Sequence, residues 1–223
     1  RPNDFGFDYF FGALYSNGMK PFSLYRNRDI AFAAPADQTQ LKARYSREAV
    51  EFIGRQGDGP FFLYFPHNFP HIPLYIPEED RARSKGGLYG DVVEGLDETV
   101  ANVVAALKAK GVYDNTLILI SSDNGPWYQG SRGNSRGRKG DTFEGGMHVP
   151  MIVHWPQGLE GGRSIDGISM GTDWLPTILD WLQLPAPEDR ALDGRSLRSM
   201  LEVGGESPHD YLYYLSGTTL AAV

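Results

Sequence analysis

Apolar residues recur at helical spacing in two long stretches of this chain. From Thr39 to Arg55, the residues Leu41, Tyr45, Ala49, Phe52 and Ile53 share one face, and Gly57-Asp58-Gly59-Pro60 stops the pattern. From Leu88 to Lys110, the residues Val92, Val93, Leu96, Val100, Val103, Val104 and Leu107 form one stripe, with Lys108, Lys110 and Gly111 suited to a C-terminus. On that helix Glu94 and Glu98 are expected on the solvated face and Asp97 as a buried partner. A further helix begins at Trp174 with Leu175, Ile178, Leu179 and Leu182 inward, and a short amphipathic piece follows from Leu192 to Leu201. Continuous apolar runs of strand length lie at Phe61–Phe65, Leu117–Ile120, Val149–Trp155 and Tyr211–Leu215, with a shorter edge candidate at Leu24–Arg26. Helices alternating with apolar strands predict an α/β fold, with a mostly parallel central sheet flanked by helices.

Composition narrows the class. The chain is 41% hydrophobic and 22% charged, which suits a soluble globular protein and not a disordered one. A net charge of −7 argues against a general nucleic-acid binder, so a cationic loop between Arg132 and Lys139 is a local exception. There is no cysteine, hence no disulfide framework and no thiolate metal site. No apolar run reaches membrane-spanning length. The chain opens at Arg1-Pro2-Asn3 without a methionine and stops at Ala221-Ala222-Val223, which reads as an internal fragment cut at both ends.

The candidate chemistry gathers after the predicted strands. Leu117–Ile120 runs into Ser121-Ser122-Asp123-Asn124-Gly125-Pro126, where polarity switches and Gly-Pro ends the strand. Asp123 and Asn124 are thus expected at the carboxyl end of a parallel strand, where open α/β sheets bind ligands. Asp-Asn-Gly is by itself a turn signal. The loop that follows carries Arg132, Arg136, Arg138 and Lys139, and hard oxygen donors beside cations point to a metal ion next to a bound anion. Such donors suit Ca²⁺ or Mg²⁺ better than zinc. Lys139 lies between Gly137 and Gly140, which permit close approach of ammonium and backbone to a ligand. The Phe61–Phe65 run ends in a proline-fixed loop with His67 and His71, either of which could serve an anion or a leaving group or be structural. Ser16 sits in a turn, a position that is usually structural. No Walker loop and no Ser-His-Asp spacing is present.

These stretches, taken in order, resemble the type I sulfatases, in particular the arylsulfatase A-like group. The residues that carry the resemblance are Gly6 to Gly12, Pro60 to Phe65 with His71-Ile72-Pro73, Tyr89-Gly90-Asp91, Asp114-Asn115-Thr116 through Ser122-Asp123-Asn124-Gly125, Arg136 to Gly140 with Phe143-Glu144-Gly145-Gly146, Leu175-Pro176-Thr177, and Leu192-Asp193-Gly194.

The resemblance implies an alkaline-phosphatase-like fold and hydrolysis of sulfate esters with one bound Ca²⁺, or Mg²⁺ in its place. By position, Asp123 and Asn124 stand for two metal ligands, and Lys139 for the lysine that binds the sulfate. His71 stands for the histidine that binds sulfate and assists the leaving group, and Ser16 for a serine that contacts substrate. The implied nucleophile is a formylglycine, made by a formylglycine-generating enzyme from Cys or Ser in a Cys/Ser-x-Pro-Ser-Arg motif. That motif does not occur here, nor do the paired aspartates or the Gly-Lys-x-x-His signature, and all three are expected upstream of Arg1. Read this way, residues 1–223 are a partial catalytic domain, inactive alone, of an exported or lysosomal enzyme. Its partners would be sulfated small molecules or glycans, without nucleic acid. His148 and Arg138 depart from the family pattern, with small local effects expected on substrate choice. Two other readings share the metal-and-anion logic: a phosphodiesterase or phosphonate hydrolase of the same superfold, and a non-catalytic paralogue that binds sulfated glycans.

Overall fold

The computed structural model describes all 223 residues, which cluster into two compact units, Arg1–Tyr113 and Asp114–Val223. In the first unit, strands β1 (Phe11–Gly12), β2 (Leu24–Arg26) and β3 (Asp29–Phe32) form a small antiparallel sheet, so the edge candidate at Leu24 is a strand. Helix α1 (Leu41–Arg55) follows a short turn whose cap is Asp37, its carboxylate accepting from Thr39 N at 3.0 Å. Helix α2 (Gly87–Lys110) ends at Gly111 in the left-handed conformation, and its last-turn lysines face the carbonyl end of the helix dipole.

The two helices pack on each other and on the small sheet. Leu41 and Tyr45 from α1, Val92 from α2, and Phe22, Leu24, Phe69 and Ile76 close the core of this unit. Val93 is exposed, because the inward stripe of α2 runs through Val92, Gly95 and Thr99 rather than Val93. The buried carboxylate of α2 is Asp91 and not Asp97, which lies on the solvated side. Asp91 accepts the backbone N–H groups of Ala82, Arg83 and Ser84 at 2.9, 3.0 and 2.8 Å, and the bond from Ser84 leads in holding its carboxyl below the usual range. Glu98 is half-exposed and pairs with Lys42 at 2.6 Å.

Phe61–Phe65 is extended, with Phe62 and Tyr64 outward and Phe61, Leu63 and Phe65 turned in, yet it pairs with no strand. Its apolar run reports the alternation of an extended segment, while strand status requires a hydrogen-bonded neighbour.

In the second unit, β4 (Ile118–Ser121) pairs antiparallel with β5 (Met151–His154), in the register Ile118–His154 through Ser121–Met151. The parallel pairing expected for β4 is therefore corrected. Every ladder in the structure is antiparallel, although helices and sheets mix as an α/β fold requires. The connection from β4 to β5 holds only the one-turn helix α3 (Glu144–Met147) and lacks the crossover helix that returns a chain parallel.

Helices α4 (Trp174–Trp181) and α5 (Arg198–Val203) pack with Val153, Leu159 and Leu197 around the second core. Asp173, fully buried ahead of α4, accepts from Met170 N at 2.7 Å and Arg195 N at 2.8 Å and meets His209 Nε2 at 2.9 Å. Gly194 is required there, since a Cβ would lie 2.1 Å from the Thr172 carbonyl oxygen. The final strand expected over Tyr211–Leu215 starts later, as β6 (Tyr214–Ser216) in a hairpin with β7 (Thr219–Ala222). No helix is long and apolar enough to cross a membrane.

Candidate functional site

The sequence-predicted site residues fall into two groups, one in each unit. In the second unit, three backbone hydrogen bonds tie together the end of β4, the cationic loop and α3. Gly125 N donates to Gly146 O at 2.9 Å, Lys139 N to Pro126 O at 3.1 Å, and Gly145 N to Arg136 O at 2.7 Å. The glycines make this possible. A Cβ on Gly125 would lie 2.0 Å from Gly145 O, one on Gly145 would lie 2.2 Å from Gly137 O, and one on Gly146 would lie 2.2 Å from Asp141 O. Lys139 is thus tied by main chain to the strand end that follows Asp123-Asn124.

The cations of this loop have different employments. Arg138 donates to the Trp127 and Gly130 carbonyls at 2.7 and 2.9 Å, and its guanidinium lies 5.2 Å from the Tyr128 ring centroid. Arg132 donates to the Ser135 carbonyl. Arg136 stacks on Phe143, 3.9 Å from its centroid. These three arginines brace the loop itself. Lys139 is half-buried, and its ammonium forms no ion pair or hydrogen bond, so it is the cation of this loop left available to an anion. His148 is an exposed neighbour of Glu144 at 3.5 Å.

Asp123 is exposed and its carboxylate bonds to no group of the chain, while the Asn124 side chain is likewise unengaged. Hard oxygens free of protein partners at a strand end fit a share of a Ca²⁺ or Mg²⁺ shell. They are a share only, because no group of three or more His, Asp or Glu side chains is placed to hold a metal ion, and Ca²⁺ takes about six to eight oxygens.

In the first unit, Ser16 and His71 come together, 55 residues apart in sequence, with Ser16 Oγ 3.4 Å from His71 Nδ1. The same Nδ1 lies 2.6 Å from Ile72 O and 3.1 Å from Asn17 Oδ1. Ser16 Oγ also accepts from Gly18 N at 3.4 Å, which leaves its hydroxyl hydrogen for an outside acceptor when His71 Nδ1 carries hydrogen and for Nδ1 when it does not. His67 is different. Its two ring nitrogens are buried without a hydrogen-bond partner among Phe65, Phe69 and Tyr45, with ring centroids at 4.4, 4.6 and 5.8 Å. Burial lowers its pKa to about 4. It is a neutral packing residue, the structural of the two possibilities open for it in the sequence.

Asn17 was not singled out by its residue type, because Ser-Asn-Gly reads as turn chemistry. Its burial and its four contacts appear only in three dimensions.

A family model described as Sulfatase matches residues 2–184. Steryl-sulfatase of Homo sapiens is 32% identical over 209 residues, covering 89% of this chain and 36% of that protein. N-acetylgalactosamine-6-sulfatase of Canis lupus familiaris is 31% identical over 246 residues, covering 100% of this chain and 47% of that protein. Among solved structures, Ps i-CgsB in complex with k-i-k-neocarrahexaose superposes with a TM-score of 0.81 at 30% identity, over 94% of this chain and 52% of that one. The chain spans less than half the length of the curated relatives it matches.

Proposed function

Because the chain belongs to the sulfatase family, we infer that the protein hydrolyses sulfate esters and that this chain supplies five residues to the reaction. The observation that carries the inference is the main-chain knot that ties Lys139, whose ammonium has no partner in the chain, to the end of β4 that bears Asp123 and Asn124. A divalent cation and the anionic sulfate group of an ester call for that pairing of charges. Sulfated sugars are placed first as substrates. A solved relative at 30% identity holds an oligosaccharide, and a curated relative named for N-acetylgalactosamine-6-sulfate matches the whole chain.

In this reading Lys139 binds a sulfate oxygen and offsets the charge that grows as sulfur is attacked. Ser16 donates its hydroxyl hydrogen to sulfate and orients it. His71 delivers a proton from Nε2 to the ester oxygen as that oxygen leaves with the electron pair of the S–O bond. Asp123 and Asn124 would hold the Ca²⁺ of the family resemblance, or Mg²⁺, which when bound supplies Lewis-acid neutralisation of the sulfate. A formylglycine would supply the nucleophile, and none of these residues takes that role, since the sequence holds no Cys and no x-Pro-Ser-Arg segment.

The test is turnover of a panel of sulfate esters, sulfated oligosaccharides included, by the intact protein. Lys139→Ala and His71→Ala should each lower kcat/KM about 10²- to 10⁴-fold. Faster turnover of phosphodiesters than of any sulfate ester would overturn the reading. Sulfate binding without turnover of any ester would leave a glycan-binding protein instead.

A further inference from the structure

We propose that Asn17 is the positioning residue of His71, fixing which ring nitrogen carries the proton. The inference rests on the reading of His71 as the proton donor to the leaving oxygen.

Asn17 is 4% exposed, in the turn after β1. Its amide nitrogen donates to His71 O at 3.3 Å and to Pro73 O at 3.1 Å. Its own backbone carbonyl accepts from Gln38 Nε2 at 3.0 Å. The two carbonyls settle the orientation of the side-chain amide, because only the NH₂ end can face two acceptors. The oxygen end must then be the atom 3.1 Å from His71 Nδ1. Ile72 O, at 2.6 Å from the same nitrogen, can also only accept. A ring nitrogen between two obligate acceptors must carry hydrogen, since a lone pair there would face two others.

The neutral ring is therefore the Nδ1–H form, with the lone pair on Nε2, which has no partner in the chain. Adding one proton puts it on Nε2. In the forward step that proton moves from Nε2 to the ester oxygen as the S–O bond breaks, while Nδ1–H stays with Asn17 and Ile72. Asn17 takes part in the positioning twice: its oxygen joins Ile72 O in selecting the tautomer, and its NH₂ group clamps the backbone on either side of Ile72, which keeps Ile72 O against Nδ1. The arrangement parallels hydrogen-bonded partners that fix the tautomer of a metal-bound or catalytic histidine.

The experiment compares Asn17→Ala with Asn17→Asp in the intact protein labelled with ¹⁵N-histidine, His71 being assigned by its loss in His71→Gln. In the wild type at pH above the ring's titration, Nδ1 should show a pyrrole-type and Nε2 a pyridine-type ¹⁵N shift. Asn17→Ala should move the ring toward the Nε2–H form that solvated histidine favours. It should also lower kcat about 10-fold with KM changed less than about 2-fold, the pattern of a group that acts only in the transition state. Asn17→Asp keeps an oxygen toward Nδ1 and loses the clamp, so it should retain the wild-type ring shifts.

Identical ¹⁵N shifts in wild type and Asn17→Ala would overturn the proposal, as would equal loss of the Nδ1–H form in both variants. The reading of His71 fails separately: unchanged turnover in His71→Ala would remove its role as acid while the tautomer result still judged Asn17. Should Asn17→Ala not fold, Asn17→Asp decides alone, and the Nε2–H form in that variant would overturn the proposal.

Discussion

Histidines 67 and 71 leave the same proline-fixed loop and meet opposite surroundings. His71 is exposed with its Nδ1 against oxygens, while His67 has its ring nitrogens buried among aromatic rings. The difference has a pH signature. Burial lowers the pKa of His67 to about 4, against 6.5 when unfolded. Between those values the unfolded chain binds the extra proton, so stability rises with pH across that window and the contribution is lost as pH falls from about 6.5 toward 4. Melting temperatures of wild type and His67→Phe measured from pH 4 to 7.5 should differ in slope, the variant being flatter below pH 6.5. Parallel curves would show that the ring does not titrate this way. At this scale the sequence was informative about residue type: Asp123, Asn124, Lys139 and His71 stood out as polar groups in loops after apolar runs. It was silent on what each side chain bonds to. Residue type and spacing do not separate His67 from His71, which only the family resemblance singled out, and they do not tell that three arginines would spend their charge on the loop's own carbonyls and rings.

Helix positions read well from sequence because their evidence is local, although Leu175 and Leu182, expected inward at α4, are exposed and Thr177 is the buried residue there. The stripe of Leu41, Tyr45, Ala49 and Ile53 is buried on α1, and Gly111 ends α2 as expected. Strands read less well because pairing is not local. An apolar run says that a segment is extended and half-buried, but its neighbour and direction lie elsewhere in the chain, which is why Phe61–Phe65 has no ladder and β4 runs antiparallel to β5. The loop after β4 is the intermediate case. Gly145-Gly146 could be seen, and its purpose could not, because the contact to Gly137 O and Asp141 O is tertiary. Gly145→Ala should lower stability by about 1–3 kcal/mol, as an added methyl does where packing is tight, and should impair turnover more than any change at exposed Arg132. Chemical denaturation of the variant checks the first part. A wild-type midpoint would mean that the main-chain knot is looser than its distances.

At the level of the whole molecule, the family assignment came from the order of several moderately specific segments, and the family match over residues 2–184 agrees with it. Asp123 and Asn124, proposed as oxygen ligands, would make only part of a cation shell, so metal binding should be a property of the intact protein. Dialysis against a chelator should abolish turnover, and added Ca²⁺ should restore it in the wild type but not in Asp123→Ala; full activity after exhaustive chelation would remove Asp123 and Asn124 from the mechanism. With a net charge of −7 the chain as a whole repels anions, which makes the single partnerless ammonium of the loop matter more than a count of basic residues suggests. The same knot of main chain also has a use for engineering. Pro126 is fixed through Lys139 and Arg136 through Gly145, so the exposed excursion between them enters and leaves at pinned points. That excursion is a natural graft position, where foreign loops of varied length could be installed while the main-chain bonds that tie Lys139 to the end of β4 are kept.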